Sequence, residues 1–94
     1  MQNLAPPRRR YPRARADLRF LSTGGRLALG AADRPCRPVD FVDALVLTYC
    51  DGRHDTGAIA AAVAGSLREG RSPDSAEGEV RRILQELQQE GFLV

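Results

Sequence analysis

Lysine does not occur in this chain, histidine occurs once, and only two cysteines are present. Each shortage excludes something. With His54 alone, general acid–base catalysis lacks the usual histidine-and-partner stock. Cys36 and Cys50 stand at no metal-ligand spacing and, with one histidine, do not make the four-ligand set of a structural zinc site. No cofactor signature appears, so no cofactor and no enzymatic activity are expected. No run of eighteen apolar residues occurs, and the arginines near the N-terminus are followed by no apolar segment. Neither a membrane span nor a secretory signal is therefore expected, and the location implied is cytoplasmic. In that compartment the two cysteines are expected as free thiols.

What is present is arginine, unevenly placed. Residues 1–37 hold nine arginines against Asp17 and Asp33, whereas residues 38–94 hold five arginines against ten carboxylates. A net charge of +2 thus conceals a basic first third and an acidic remainder. Residues 1–13, with Pro6-Pro7, Arg8-Arg9-Arg10 and Pro12, read as a mobile basic arm. Residues 14–94 read as one small domain.

Within the domain the apolar period changes once. From Arg15 to Leu29 it is two: Leu18 and Phe20 alternate with Arg19, Leu27 and Leu29 with Arg26 and Ala28, around a Ser22-Thr23-Gly24-Gly25 turn. This predicts a β-hairpin. Arg34 to Val39 reads either as a third strand or as an irregular extended segment, because Pro35 and Pro38 each lack an N–H and are restricted to an edge. An edge is also where another chain can add a strand.

From Asp40 onward the period is helical. Val42, Leu45, Val46 and Tyr49 share one face behind an Asp40 N-cap, and Gly52 follows as a stop. A second helix is capped by Asp55 or Thr56 and carries Ile59, Ala62, Val63 and Leu67. The third opens at Ser72-Pro73-Asp74, with Asp74 and Glu77 as an alternative capping pair, and carries Val80, Ile83, Leu84 and Leu87. Gly91 ends it, and Phe92, Leu93 and Val94 are expected to fold back as a short terminal strand. The fold class expected is α+β and winged-helix-like: a small three-stranded antiparallel sheet followed by a three-helix bundle.

Two clusters attract functional readings. Cys50, Asp51 and His54 are close in sequence but sit at a helix end, where Asp and Gly serve the backbone; a thiol there is expected to be exposed and without a pocket. On the third helix, Arg81, Gln85 and Gln88 fall on one flank of the apolar stripe and Glu79, Glu86 and Glu90 on the other. Arg82 and Glu86 are spaced for an ion pair on its surface.

The run Leu45-Val46-Leu47-Thr48-Tyr49-Cys50-Asp51-Gly52, the alanine-rich helix bearing Ile59, and the close Leu84-Gln85-Glu86-Leu87-Gln88-Gln89-Glu90-Gly91-Phe92-Leu93 together resemble the PqqD-like family. These are recognition elements for ribosomally made, post-translationally modified peptides, and the resemblance covers roughly residues 13–94. It implies a non-catalytic module that binds the leader segment of a precursor peptide and presents it to a modifying enzyme, a radical S-adenosylmethionine protein in some pathways. It implies, further, that the leader adds to the third strand against the third helix. Carried onto this sequence, the strand side is Arg34, Cys36, Arg37 and Val39, and the helix wall is Arg81, Leu84, Gln85 and Gln88. The state implied is a monomer or a homodimer paired through strand edges. The rival is a DNA-binding winged-helix regulator with the arginine arm on phosphates, against which the acidic bundle counts.

Overall fold

A computed structural model describes residues 10–66 and 73–94 of the chain. Three strands, β1 (Arg19–Thr23), β2 (Arg26–Ala31) and β3 (Arg34–Pro38), form an antiparallel sheet in the order β1-β2-β3. Three helices follow, α1 (Phe41–Thr48), α2 (Thr56–Ser66) and α3 (Pro73–Gln89). This is the α+β arrangement that the change of period predicts. Leu67, Ser72, the Asp74 side chain and residues 1–9 of the arm lie outside the described part.

The hairpin turn is shorter than its composition suggests. Thr23 pairs directly with Arg26, so Ser22 and Thr23 belong to β1 and the loop is Gly24-Gly25 alone. Both glycines have positive φ, 58° and 79°, which a two-residue loop of matching twist requires. The alternation across the hairpin is real but only partly covered. Leu29 is fully buried, whereas Phe20, directly opposite it, is half exposed.

The third strand forms in spite of its prolines, for a reason visible in the ladder. Leu29 faces Arg37 and Ala31 faces Arg34, so β3 carries one residue more than β2 in the interval and bulges at Pro35-Cys36. A bulge tolerates a missing N–H. Val39 donates its N–H to the Leu27 carbonyl at 3.0 Å. The alternation of an antiparallel ladder then turns the backbone of Pro38 toward the free edge, where β2 asks nothing of it.

The first two helices are capped as their sequence signals direct. Asp40 accepts from the Asp43 N–H at 2.8 Å and Asp43 accepts from the Asp40 N–H at 3.1 Å, a reciprocal capping box. Of the two candidates for α2, Asp55 is the cap, its Oδ1 accepting from the Ala58 N–H at 2.8 Å. The core gathers Leu29, Val46, Ile59, Val63, Val80, Ile83, Leu87 and Phe92, each under 2% exposed. The stripe of α3 is therefore the expected one. In α2, Ala60 and Ala64 turn inward beside Ile59 and Val63, while Ala62 stays half-buried. Phe92 folds back fully and Leu93 partly, but Val94 is 53% exposed and adds little to the core.

One segment corrects the sequence-based boundary. Pro12 and Arg13, assigned above to the mobile arm, belong to the folded unit. Pro12 is buried and its carbonyl accepts from Gly52 N–H at 3.0 Å. Ala14 N–H reaches the Cys50 carbonyl at 2.8 Å, Arg15 N–H the Phe92 carbonyl at 3.1 Å, and Val94 N–H the Arg13 carbonyl at 2.8 Å. Residues 12–15 thus run as a short extended seam between the turn after α1 and the C-terminal tail, with single bridges at Arg13–Asp51 and Ala14–Leu93. The terminal segment expected as a strand is reduced to that one bridge. Among the described residues, no helix is long and apolar enough to cross a membrane.

Candidate functional site

The candidate site lies where β3 approaches the C-terminal end of α3. No α-carbon of β3 comes within 8 Å of one in α3, so the two are joined by side chains. Arg37 is the principal link. Its register opposite Leu29 aims it to the core side of the sheet, and its guanidinium holds Glu86 Oε1 at 2.8 Å and Glu90 Oε1 at 3.0 Å. Desolvation opposes its charge, but the carboxylates of Glu86 and Glu90, with Asp43 nearby, outweigh that and raise its pKa. Glu86 is shared with Arg82 at 2.8 Å, the surface pair expected from the i, i+4 spacing. The hydrogen bond from Arg37, then that from Arg82, holds the Glu86 carboxyl below the usual glutamate range.

A second pair of arginines meets the end of the helix. The guanidinium of Arg34 packs on Gly91, so closely that a Cβ there would lie 2.5 Å from its Nε. Arg15 donates to the Gly91 carbonyl at 3.2 Å while binding Asp17 at 2.7 Å and Asp33, in the β2–β3 turn, at 2.8 Å. Cations at a helix C-terminus offset the partial negative charge of its unpaired carbonyls. Among the described residues Arg34 has no carboxylate partner. Of the described arginines at this corner, Arg15 and Arg37 are paired with carboxylates and Arg34 is not.

These contacts divide the residues singled out from the sequence. Arg34 and Cys36 are exposed on β3, and Cys36 lies near the free edge with an unpaired thiol. Arg37 is turned inward and neutralised, and Val39 is buried with its N–H committed to Leu27. On α3, Leu84 is in the core, Arg81 is bound to Glu77, Gln85 is exposed and Gln88 half-buried. The structure does not bring the wall to the strand. It is Glu86 and Glu90 that face β3, and at 100° per residue Arg81 stands about 140° around the helix from Glu86. The stripe specifies which side of α3 is buried but not which neighbour lies on each flank; the ion pairs from Arg37 answer that.

The other cluster has no reactive thiol. Cys50 is 4% exposed, and burial, with the Asp51 charge beside it, pushes its pKa up to about 12. The expectation of an exposed thiol at this turn is thus corrected: the side chain points into the core. Asp51 instead binds His54 Nδ1 at 3.0 Å and accepts from the Arg53 N–H at 2.9 Å, which together lower its pKa. His54 packs edge-on to Tyr49 with ring centroids 5.5 Å apart. This is a braced turn. The depression nearby, lined by Arg13, Ala14, Arg15, Asp17, Cys50 and Val94, is wide open to solvent. Among the described residues no three His, Cys, Asp or Glu side chains converge as a metal site requires.

Comparison with protein-family models, with curated proteins and with solved structures finds no match to this chain.

Proposed function

We propose that the chain is a non-catalytic, cytoplasmic, PqqD-like module that binds the leader segment of a ribosomally made precursor peptide and presents it to a modifying enzyme. The observation that supports this reading best is a small sheet whose edge strand β3 lies beside the C-terminal end of α3, with nothing paired to its outer side and no carboxylate on Arg34 among the described residues. A peptide gains affinity from main-chain bonds along such an edge and specificity from its alternate side chains. On this reading the prolines of β3 limit where such pairing can form. Pro38 offers the edge only a carbonyl, so Cys36 is the residue of β3 able to exchange both bonds with an added strand. Arg34, over Gly91, then suits an acidic leader side chain, while Arg37 serves the fold.

A labelled leader segment from a short peptide encoded beside the gene tests this by fluorescence polarisation, with labelled duplex DNA at equal salt as the rival. Saturable peptide binding that slows maleimide labelling of Cys36 and weakens in Arg34→Glu is the expected outcome. Duplex binding alone would overturn the reading.

A further inference from the structure

We propose that the outer edge of β1 is a second docking edge, and that it takes an extended acidic peptide segment with apolar residues at alternate positions. The two-residue Gly24-Gly25 loop makes Thr23 and Arg26 a mutually bonded pair, so Leu21–Ala28 and Arg19–Gly30 are bonded pairs too. The intervening residues, Phe20 and Ser22, must direct their N–H and C=O groups away from β2. An independent contact fixes the same phase: Leu27, opposite Ser22, gives its carbonyl to Val39 on the other side. Among the described residues nothing pairs with the outer edge of β1, which therefore presents two donors and two acceptors at i, i+2 spacing. No proline interrupts Arg19–Thr23. Of the two edges of this sheet, β1 is the one without the blunting that Pro35 and Pro38 give β3.

Side chains on both faces point to the occupant. On the core-side face Phe20 is 51% exposed although it stands opposite the fully buried Leu29, so the apolar layer of the sheet continues past the cover of the helices. On the other face Leu21 is 42% exposed, between Arg19 on its own strand and Arg26 diagonally across on β2. Neither arginine has a carboxylate partner among the described residues. A strand laid along β1 would set apolar residues against Phe20 and acids against Arg19 and Arg26. A second copy of this chain would instead bring its own Arg19 and Arg26 onto the same face, where like charges oppose each other. This edge is distinct from the leader site on β3, and each can be occupied with the other empty.

The test uses the full chain, isotope-labelled for amide spectra, and a capped eight-residue peptide of alternating glutamate and valine, with a lysine-for-glutamate version as control. The expected result is saturable perturbation and slowed exchange of the Phe20 and Ser22 amides, with the lysine peptide about tenfold weaker or worse. Ser22→Pro, which removes one outward donor, should lose the interaction. The double variant Arg19→Glu/Arg26→Glu, whose surface changes leave the fold intact, should bind the glutamate peptide about tenfold less and the lysine peptide better. Silence at Phe20 and Ser22 overturns the proposal, as does a dimer in sedimentation equilibrium that occupies those amides and is not displaced by the peptide. A leader segment perturbing Cys36 but not Phe20 would support the β3 reading while leaving β1 to be judged by the alternating peptide.

Discussion

The Nη2 atom of Arg37 stands 2.8 Å from Oε1 of Glu86, joining the outer strand of the sheet to the last helix across 49 positions of sequence. Arg37→Met should lower the melting temperature at pH 7, because Glu90 then loses its cation and Glu86 keeps only Arg82. The acid limb gives the sharper readout. Glu86 has a depressed pKa in the folded state, so its contribution is fully present above the ordinary glutamate value of about 4.3 and is lost as pH falls through the folded value. In Arg37→Met that limb should flatten. An unchanged curve of melting temperature against pH would show that the link contributes nothing to stability.

The two thiols should separate cleanly. Cys36 is exposed and Cys50 buried, so a thiol reagent at pH 8 should modify one group per chain at once and the second only as the core opens. Cys50 also makes stability fall at high pH. Its thiol ionises near the ordinary value of about 8.5 when unfolded and at about 12 when folded. Between those values the folded state holds a proton that the unfolded state has released. Stability should therefore fall with rising pH, by up to about 1.4 kcal/mol per unit. Denaturant titrations of the parent and of Cys50→Ala, compared from pH 8.5 to 10.5, measure this slope; equal slopes would refute it.

Truncation locates the true start of the fold. The seam at residues 12–15 supplies four backbone hydrogen bonds that tie the Cys50–Gly52 turn to the Phe92–Val94 tail. Deleting residues 1–9 removes none of them and should leave the denaturation midpoint unchanged. Deleting residues 1–15 removes all four, along with the Arg15 contacts to Asp33 and Gly91, and should cost about 2–6 kcal/mol from the backbone bonds alone. Chemical denaturation of the two truncated chains is sufficient to compare them.

Features with a local cause were legible in the sequence. The Asp40 cap, the existence of the hairpin though not the length of its loop, the stripe of α3 and its end at Gly91 all follow from residues within a few positions of one another. The features that define the candidate site join residues far apart in sequence. Nothing in Arg13-Ala14-Arg15 marks it as a seam between two distant segments, because its bonds are main-chain bonds that any residue can make. The alternation of the hairpin shows which side chains share a face, but not how far the helices extend over it. Phe20 and Leu29 share that face and differ in exposure by half. The orientation of α3 was illegible for a similar reason, since both of its flanks carry plausible partners for an arginine on β3.

Gly91 offers a test of the corner where strand and helix meet. It has φ of 84°, a left-handed conformation that ends α3 and lets the Gly91 N–H reach the Gln88 carbonyl at 3.1 Å and the Phe92 N–H reach the Leu87 carbonyl at 2.9 Å. The three atoms nearest to a Cβ added here all belong to the guanidinium of Arg34, the far end of a flexible side chain, so that steric conflict can be relieved by moving it. The backbone conformation cannot be relieved in that way. Gly91→Ala should therefore destabilise by about 1 kcal/mol through the left-handed φ, and displace Arg34 from the end of α3. Because the proposed acid-binding cation moves, leader affinity should fall in Gly91→Ala even where the protein remains fully folded. The double variant Gly91→Ala/Arg34→Ala separates the two effects: its stability should match that of Gly91→Ala, and its leader affinity that of Arg34→Ala. Additive losses of affinity would show that Gly91→Ala acts on leader binding independently of Arg34.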